Sequence, residues 1–120
     1  MNLTRKLIIT FILFSTSQVF AAANLRFLNE SAPVFHFTDV DFDILVKTVQ
    51  KALNEKKDGE KLAWENKETG HAGLVNPLNT TIEKGVSCRM LRLINRAGKR
   101  ISQTQYKFCK QPDGIWKVSN

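Results

Sequence analysis

Cys88 and Cys109 are the only cysteines in the chain, and they stand ten positions before Gly98 and ten after Lys99. A two-residue type II′ hairpin turn needs glycine at its first central position, and Gly98-Lys99 supplies it. That turn pairs Ala97 with Arg100 and sets Cys88 opposite Cys109, nine steps along the ladder at a non-hydrogen-bonded pair. Cα atoms in such pairs lie about 4.5 Å apart, within the span of a disulfide. A turn at Arg96-Ala97 instead breaks this registry. In the Gly98 register Arg89 faces Phe108, Leu91 faces Tyr106 and Leu93 faces Thr104. Leu91, Leu93, Tyr106 and Phe108 are therefore expected to meet the core. Met90, Arg92, Gln105 and Lys107 share the other, more polar face with the cysteines.

A disulfide places the chain in an oxidising compartment. Residues 1–23 agree: Arg5 and Lys6 precede an apolar run over 7–14, and Ala21-Ala22-Ala23 follow. This is the layout of a secretory signal, with cleavage after Ala21 or Ala23, and the run is too short to span a bilayer. No transmembrane span is expected in the mature chain. Closing the loop between the cysteines contributes about 3 kcal/mol on the chain-entropy model, a useful increment for so small a domain. Free or intermolecular cysteines are one alternative. Zinc held with His36 and His71 is another, but it lacks a close-spaced ligand pair. No metal and no cofactor is expected.

Residues 24–37, rich in phenylalanine but without a period, read as an N-terminal arm whose aromatic residues dock on the domain, with a short strand at 34–37. Residues 38–120 read as one α+β domain. Within it, 38–57 carries Phe42, Leu45, Val46, Val49, Ala52 and Leu53 at spacings of three and four, an amphipathic helix. Thr38 or Asp39 serves as N-cap, Asp41 and Asp43 place negative charge at the positive end of the dipole, and Gly59 stops the helix. Asp39, Asp41 and Asp43 imitate the start of a calcium loop, but Ile44 and Gln50 occupy the positions that need glycine and glutamate. After Gly59 the period becomes two. Strands are predicted at 62–65, 72–75 (stopping before Pro77), 86–94, 100–109 and 115–118, with 79–84 as a polar connection. The fold is thus one helix on an antiparallel β-meander of about five strands with one disulfide.

Three motifs in order carry a family likeness. The first is Trp64, Asn66, Thr69, Gly70, Gly73, Val75 and Pro77. The second is Gly85, Cys88 and Arg89, and the third is Cys109, Lys110, Asp113, Gly114 and Trp116. Residues 60–118 so resemble the C-terminal domain of the rickettsial-type outer-membrane surface antigens. The resemblance implies the α+β fold and a cell-envelope setting, and it implies no chemistry.

Charge supplies the functional expectation. Of the formal +7, Arg5 and Lys6 leave with the signal. Residues 24–83 hold seven basic against ten acidic groups, whereas residues 84–120 hold nine basic groups against Asp113 alone. Arg89, Arg92, Arg96, Lys99, Arg100, Lys107 and Lys110 form the candidate binding set. They predict an anionic envelope component such as lipopolysaccharide, or an acidic protein, as partner; export makes nucleic acid the less expected polyanion. Trp64 and Trp116 read as core anchors and Gly70 and Gly73 as tight-turn residues. The reading is a non-catalytic exported binding or assembly module of the periplasm or cell envelope. The alternative is a secreted inhibitor or effector that binds a host or competitor protein. A hydrolase built on Glu65, Glu68 and His71 lacks a nucleophile.

Overall fold

Residues 32–119 are described by a computed structural model; the expected signal over 1–23 and the expected arm residues 24–31 lie outside the described residues. The central hairpin joins β3 (Val86–Ala97) to β4 (Arg100–Lys110) through Gly98-Lys99, with Gly98 at φ +63° as the type II′ reading requires. Ala97 pairs with Arg100, Leu91 with Tyr106 and Cys88 with Cys109. The cysteines are bonded, with Cα atoms 4.0 Å apart.

Around this hairpin the five-stranded antiparallel sheet runs in the order β1-β2-β3-β4-β5, with β1 Leu62–Glu65, β2 Ala72–Glu83 and β5 Trp116–Val118. Helix α1 (Asp39–Glu55) packs on one face. Its Leu45, Val49, Ala52 and Leu53 meet Trp64, Val75, Leu91, Leu93, Phe108 and Trp116. Each full burial of such an aliphatic or aromatic side chain is worth about 1.5–3 kcal/mol, which fixes the helix to this face. Phe42 and Val46, expected on the buried stripe, lie at its margin, 37% and 56% exposed.

Three local expectations are corrected. Residues 34–37 do not form a strand; Pro33–His36 is a single 3-10 turn against β3 and β4. Pro33 at its first position pre-sets the helical φ. The second strand does not stop before Pro77, and 79–84 is not a polar connection: β2 runs on to Glu83, with its register against β3 shifting between Pro77 and Asn79. Proline is tolerated there because β1 ends opposite Val75, so β2 beyond that point is an edge, and because a bulge absorbs the missing donor. The helix ends at Glu55, four residues before Gly59 rather than at it, and the Pro77 carbonyl accepts from Gly59 N at 2.6 Å, tying the turn after α1 to the bulge. Lys84 and Gly85 both have positive φ, as a type I′ turn into β3 needs.

Gly73 is a packing residue rather than a turn residue. It faces Trp64 across β1–β2, and a Cβ built on it would overlap Trp64 Nε1 and the Ile94 carbonyl oxygen. Because one obstacle is backbone, the overlap is relieved only by moving the strand. Gly73→Ala is expected to lower stability by about 2 kcal/mol, with a blue or red displacement of the Trp64 fluorescence, whereas a mere loss of turn freedom would leave the emission unchanged.

Candidate functional site

The motif residues converge on two buried polar groups, one at each end of α1. At the N-terminus Thr38 and Asp41 form a reciprocal capping box: Asp41 N donates to Thr38 Oγ1 at 3.1 Å and Thr38 N to Asp41 Oδ2 at 2.8 Å. Asp41 is also fully buried, and three side chains of the β1–β2 loop reach it. Asn66 Nδ2 and Thr69 Oγ1 each donate to Oδ1 at 2.8 Å, and His71 Nδ1 meets Oδ2 at 2.8 Å. The loop closes on itself through Asn66 N to His71 O and Gly70 N to Asn66 O, with Gly70 left-handed at φ +73°. Burial by itself pushes the Asp41 carboxyl up; His71, the Thr38 N–H, Thr69 and Asn66 together outweigh it and hold the group well below the usual carboxylate range.

A carboxylate beside an imidazole is also half of a catalytic triad. Here, however, the carboxylate accepts from four partners, and the nearest hydroxyl, that of Thr69, is itself one of them. The arrangement orients a loop.

At the other end Arg89, from the second motif, points inward and is 7% exposed. Its Nη1 donates to the carbonyls of Leu53 at 2.8 Å and Ala52 at 3.4 Å, Nη2 to Asp58 at 2.8 Å and Nε to Thr80 at 2.8 Å. A cation at helix carbonyls complements the negative end of the dipole. Arg89 and then Thr80 lower the Asp58 carboxyl below its ordinary range. The expectation that Arg89 offers charge to a partner is therefore corrected, because its fork is engaged within the domain.

The third motif holds the last strand. Asp113 Oδ1 accepts from Ile115 N at 2.9 Å and Gly114 takes φ +85°, turning the chain into β5. Trp116 is buried, and Gln50 of α1 binds both its backbone groups, accepting from N at 3.0 Å and donating to O at 2.8 Å. Its indole donates to Asn54 Oδ1 at 2.9 Å.

The remaining candidate cations divide by place. Arg92 and Arg96 project from the sheet face opposite α1, in register with Gln105 and Ile101, and Lys99 and Arg100 are exposed at the hairpin tip. Lys107, on the same outer face, pairs with Glu83 at 2.8 Å, which lowers the Glu83 carboxyl. Lys110 lies ten residues along β4 from Arg100, about 30 Å away at strand rise. The structure thus sets Arg96, Lys99 and Arg100 at the hairpin end, with Arg92 four residues back along β3 on the outer face that also carries Lys107, and Lys110 and Arg89 apart. Among the described residues none of Arg92, Arg96, Lys99 and Arg100 takes part in an ion pair.

On the helix side a cavity of ≈ 400 Å³ opens between Phe42 and Leu45 of α1, Val34 and the β3–β4 residues Leu93 and Phe108. Burial raises the pKa of Tyr106 at its wall. No helix among the described residues is long and apolar enough to cross a membrane.

Sequence reasoning placed Asp41 at the helix start but missed its role as the hub of the loop. The signal was present: Asp41, Leu45 and Val49 fall four apart, so an acid sits on the stripe that faces the core.

Comparison with known proteins agrees with the motif pattern. A family model described as 17 kDa outer membrane surface antigen matches residues 51–117. The chain is similar to the 17 kDa surface antigen of Rickettsia prowazekii (strain Madrid E), 33% identical over 81 residues, 67% of this chain and 51% of that protein. It is similar also to the 17 kDa surface antigen of Rickettsia felis, 32% identical over 74 residues, 61% of this chain and 46% of that protein. The chain spans about half the length of these curated relatives. No solved structure matches it significantly.

Proposed function

The chain belongs to the 17 kDa outer membrane surface antigen family, and from that premise we propose that it is a non-catalytic surface module of the bacterial envelope. It is exported by its signal segment, and it meets an anionic partner through the tip of the β3–β4 hairpin. The observation that carries this reading is the separation of roles among the charged residues. Asp41 and Arg89 are buried and engaged at the two ends of the helix, whereas Arg96, Lys99 and Arg100 at the hairpin end, and Arg92 further along β3, have no acid partner among the described residues. The family motifs supply the scaffold, and the cations between the second and third motifs supply the contact.

Binding to a soluble polyanion, followed by fluorescence anisotropy with labelled heparin across a salt series, tests it. The Arg96→Glu/Lys99→Glu variant is expected to bind at least tenfold more weakly, with a shallower dependence on salt, because fewer counterions are released. Its unfolding midpoint is expected to stay within about 0.5 kcal/mol of the parent, as for exposed substitutions. Unchanged affinity in that variant would contradict the assignment of the hairpin.

A further inference from the structure

We propose that the helix-free face at the hairpin end of the sheet is a docking surface for an anionic lipid bilayer, a reading that rests on the anionic-partner function and names its partner. Strand alternation sorts this face. Cross-strand pairs Leu74–Ile94, Asn76–Arg92 and Arg96–Ile101 lie on the side that carries the disulfide, away from α1. No secondary-structure element among the described residues packs over it. Arginines and aliphatic side chains therefore alternate on one open surface.

The mixture selects among anionic partners. A soluble polyanion rewards the cations but gains nothing from Ile101, which is 67% exposed at the first turn of β4. A lipid surface rewards both. Ile101 and Ile94 can enter the boundary between headgroups and acyl chains, while Arg92 and Arg96 lay their stems along the same surface and keep their guanidinium groups at the phosphates. A shallow depression bounded by Leu74, Ile94, Arg96 and Ile101 marks the centre of the apolar part. Arg92 and Asn76, neighbours across β2–β3, each hold a buried polar atom, Nε and Oδ1, without a partner in the protein. Lys99, in the turn just beyond the last pair Ala97–Arg100, extends the positive edge.

Charge complementarity is local as well as global. The acid nearest in register is Glu65, two strands from Arg96 and so about 10 Å away; the other acid on this face, Glu83, is held by Lys107. A field of net positive sign thus surrounds the exposed isoleucine. Each basic side chain near an anionic leaflet strengthens partitioning roughly fivefold, and burying an exposed isoleucine adds about tenfold.

The experiment is co-sedimentation of the mature protein with vesicles of phosphatidylglycerol and phosphatidylcholine in equal amounts, beside vesicles of phosphatidylcholine alone. Binding is expected only to the first. Arg96→Glu/Lys99→Glu should reduce it by more than tenfold, and Ile101→Ser should reduce it about tenfold while leaving heparin binding unchanged. If both vesicle and heparin binding are absent in the parent protein, the anionic-partner reading itself falls. If heparin binding is normal but vesicles are ignored, or if Ile101→Ser binds vesicles as the parent does, the lipid surface is overturned and the soluble-polyanion reading stands. Urea unfolding of each variant separates loss of contact from loss of fold.

Discussion

Replacing Asp41 with alanine is expected to cost about 4 kcal/mol of folding stability, read as a lower urea midpoint at unchanged slope. The change leaves the buried Asn66 amide without its acceptor and takes the same acceptor from the partly buried bonds of Thr69, His71 and the Thr38 N–H, and a buried donor left unpaired is costly. It also removes half of the capping box, and with it the geometry that starts α1. The pH dependence has a definite sign. The folded Asp41 carboxyl titrates below its unfolded value of about 3.9, so the unfolded chain takes up a proton that the folded chain refuses. The contribution is complete above about pH 5, begins to fade as the pH falls through the unfolded value, and is lost only as the pH falls through the lower, folded one. Urea midpoints measured from neutral to acid pH should therefore drop in the parent and drop less in Asp41→Asn. An equally steep acid limb in both proteins would place the acid sensitivity elsewhere.

Arg89→Ala is expected to destabilise by about 4 kcal/mol, and Arg89→Lys to recover less than half of that. The guanidinium serves two helix carbonyls, Asp58 and Thr80 from one planar fork. An ammonium on a flexible stem cannot reach them together. Alanine removes the 2.8 Å donor of the Leu53 carbonyl at the end of α1 and leaves the Ala52 carbonyl with Lys56 N alone. The same urea titration checks this. A lysine variant as stable as the parent would show that charge alone is needed there, as at an ordinary helix C-terminus.

Much of the architecture was legible because local rules acted without competition. Gly98 satisfied a turn, the cysteines satisfied a register, and the apolar spacing over 45–53 satisfied a helix; the sheet and disulfide follow. Pro77 misled because its local rule was overridden by its place on an edge at a bulge, which a single sequence does not display. Asp41 and Arg89 were read by their local or generic roles, a helix-start acid and a surface cation. Each in fact answers to a partner twenty-five or more positions away. For Arg89 the alternation already held the answer, since in the predicted register it shares a face with Leu91 and Leu93. The cations at the hairpin tip remained readable as a group because the turn that gathers them was itself readable.

A double-mutant cycle between Asp41 and Asn66 tests most directly whether the family motif exists to hold this fold. Asp41→Ala, Asn66→Ala and the double variant would be compared by urea unfolding, with the parent as reference. The predicted result is a coupling of about 2 kcal/mol, because either single change strands the other group. Additive effects within about 0.5 kcal/mol would contradict the account, and the motif would then need a purpose other than its bond to the helix.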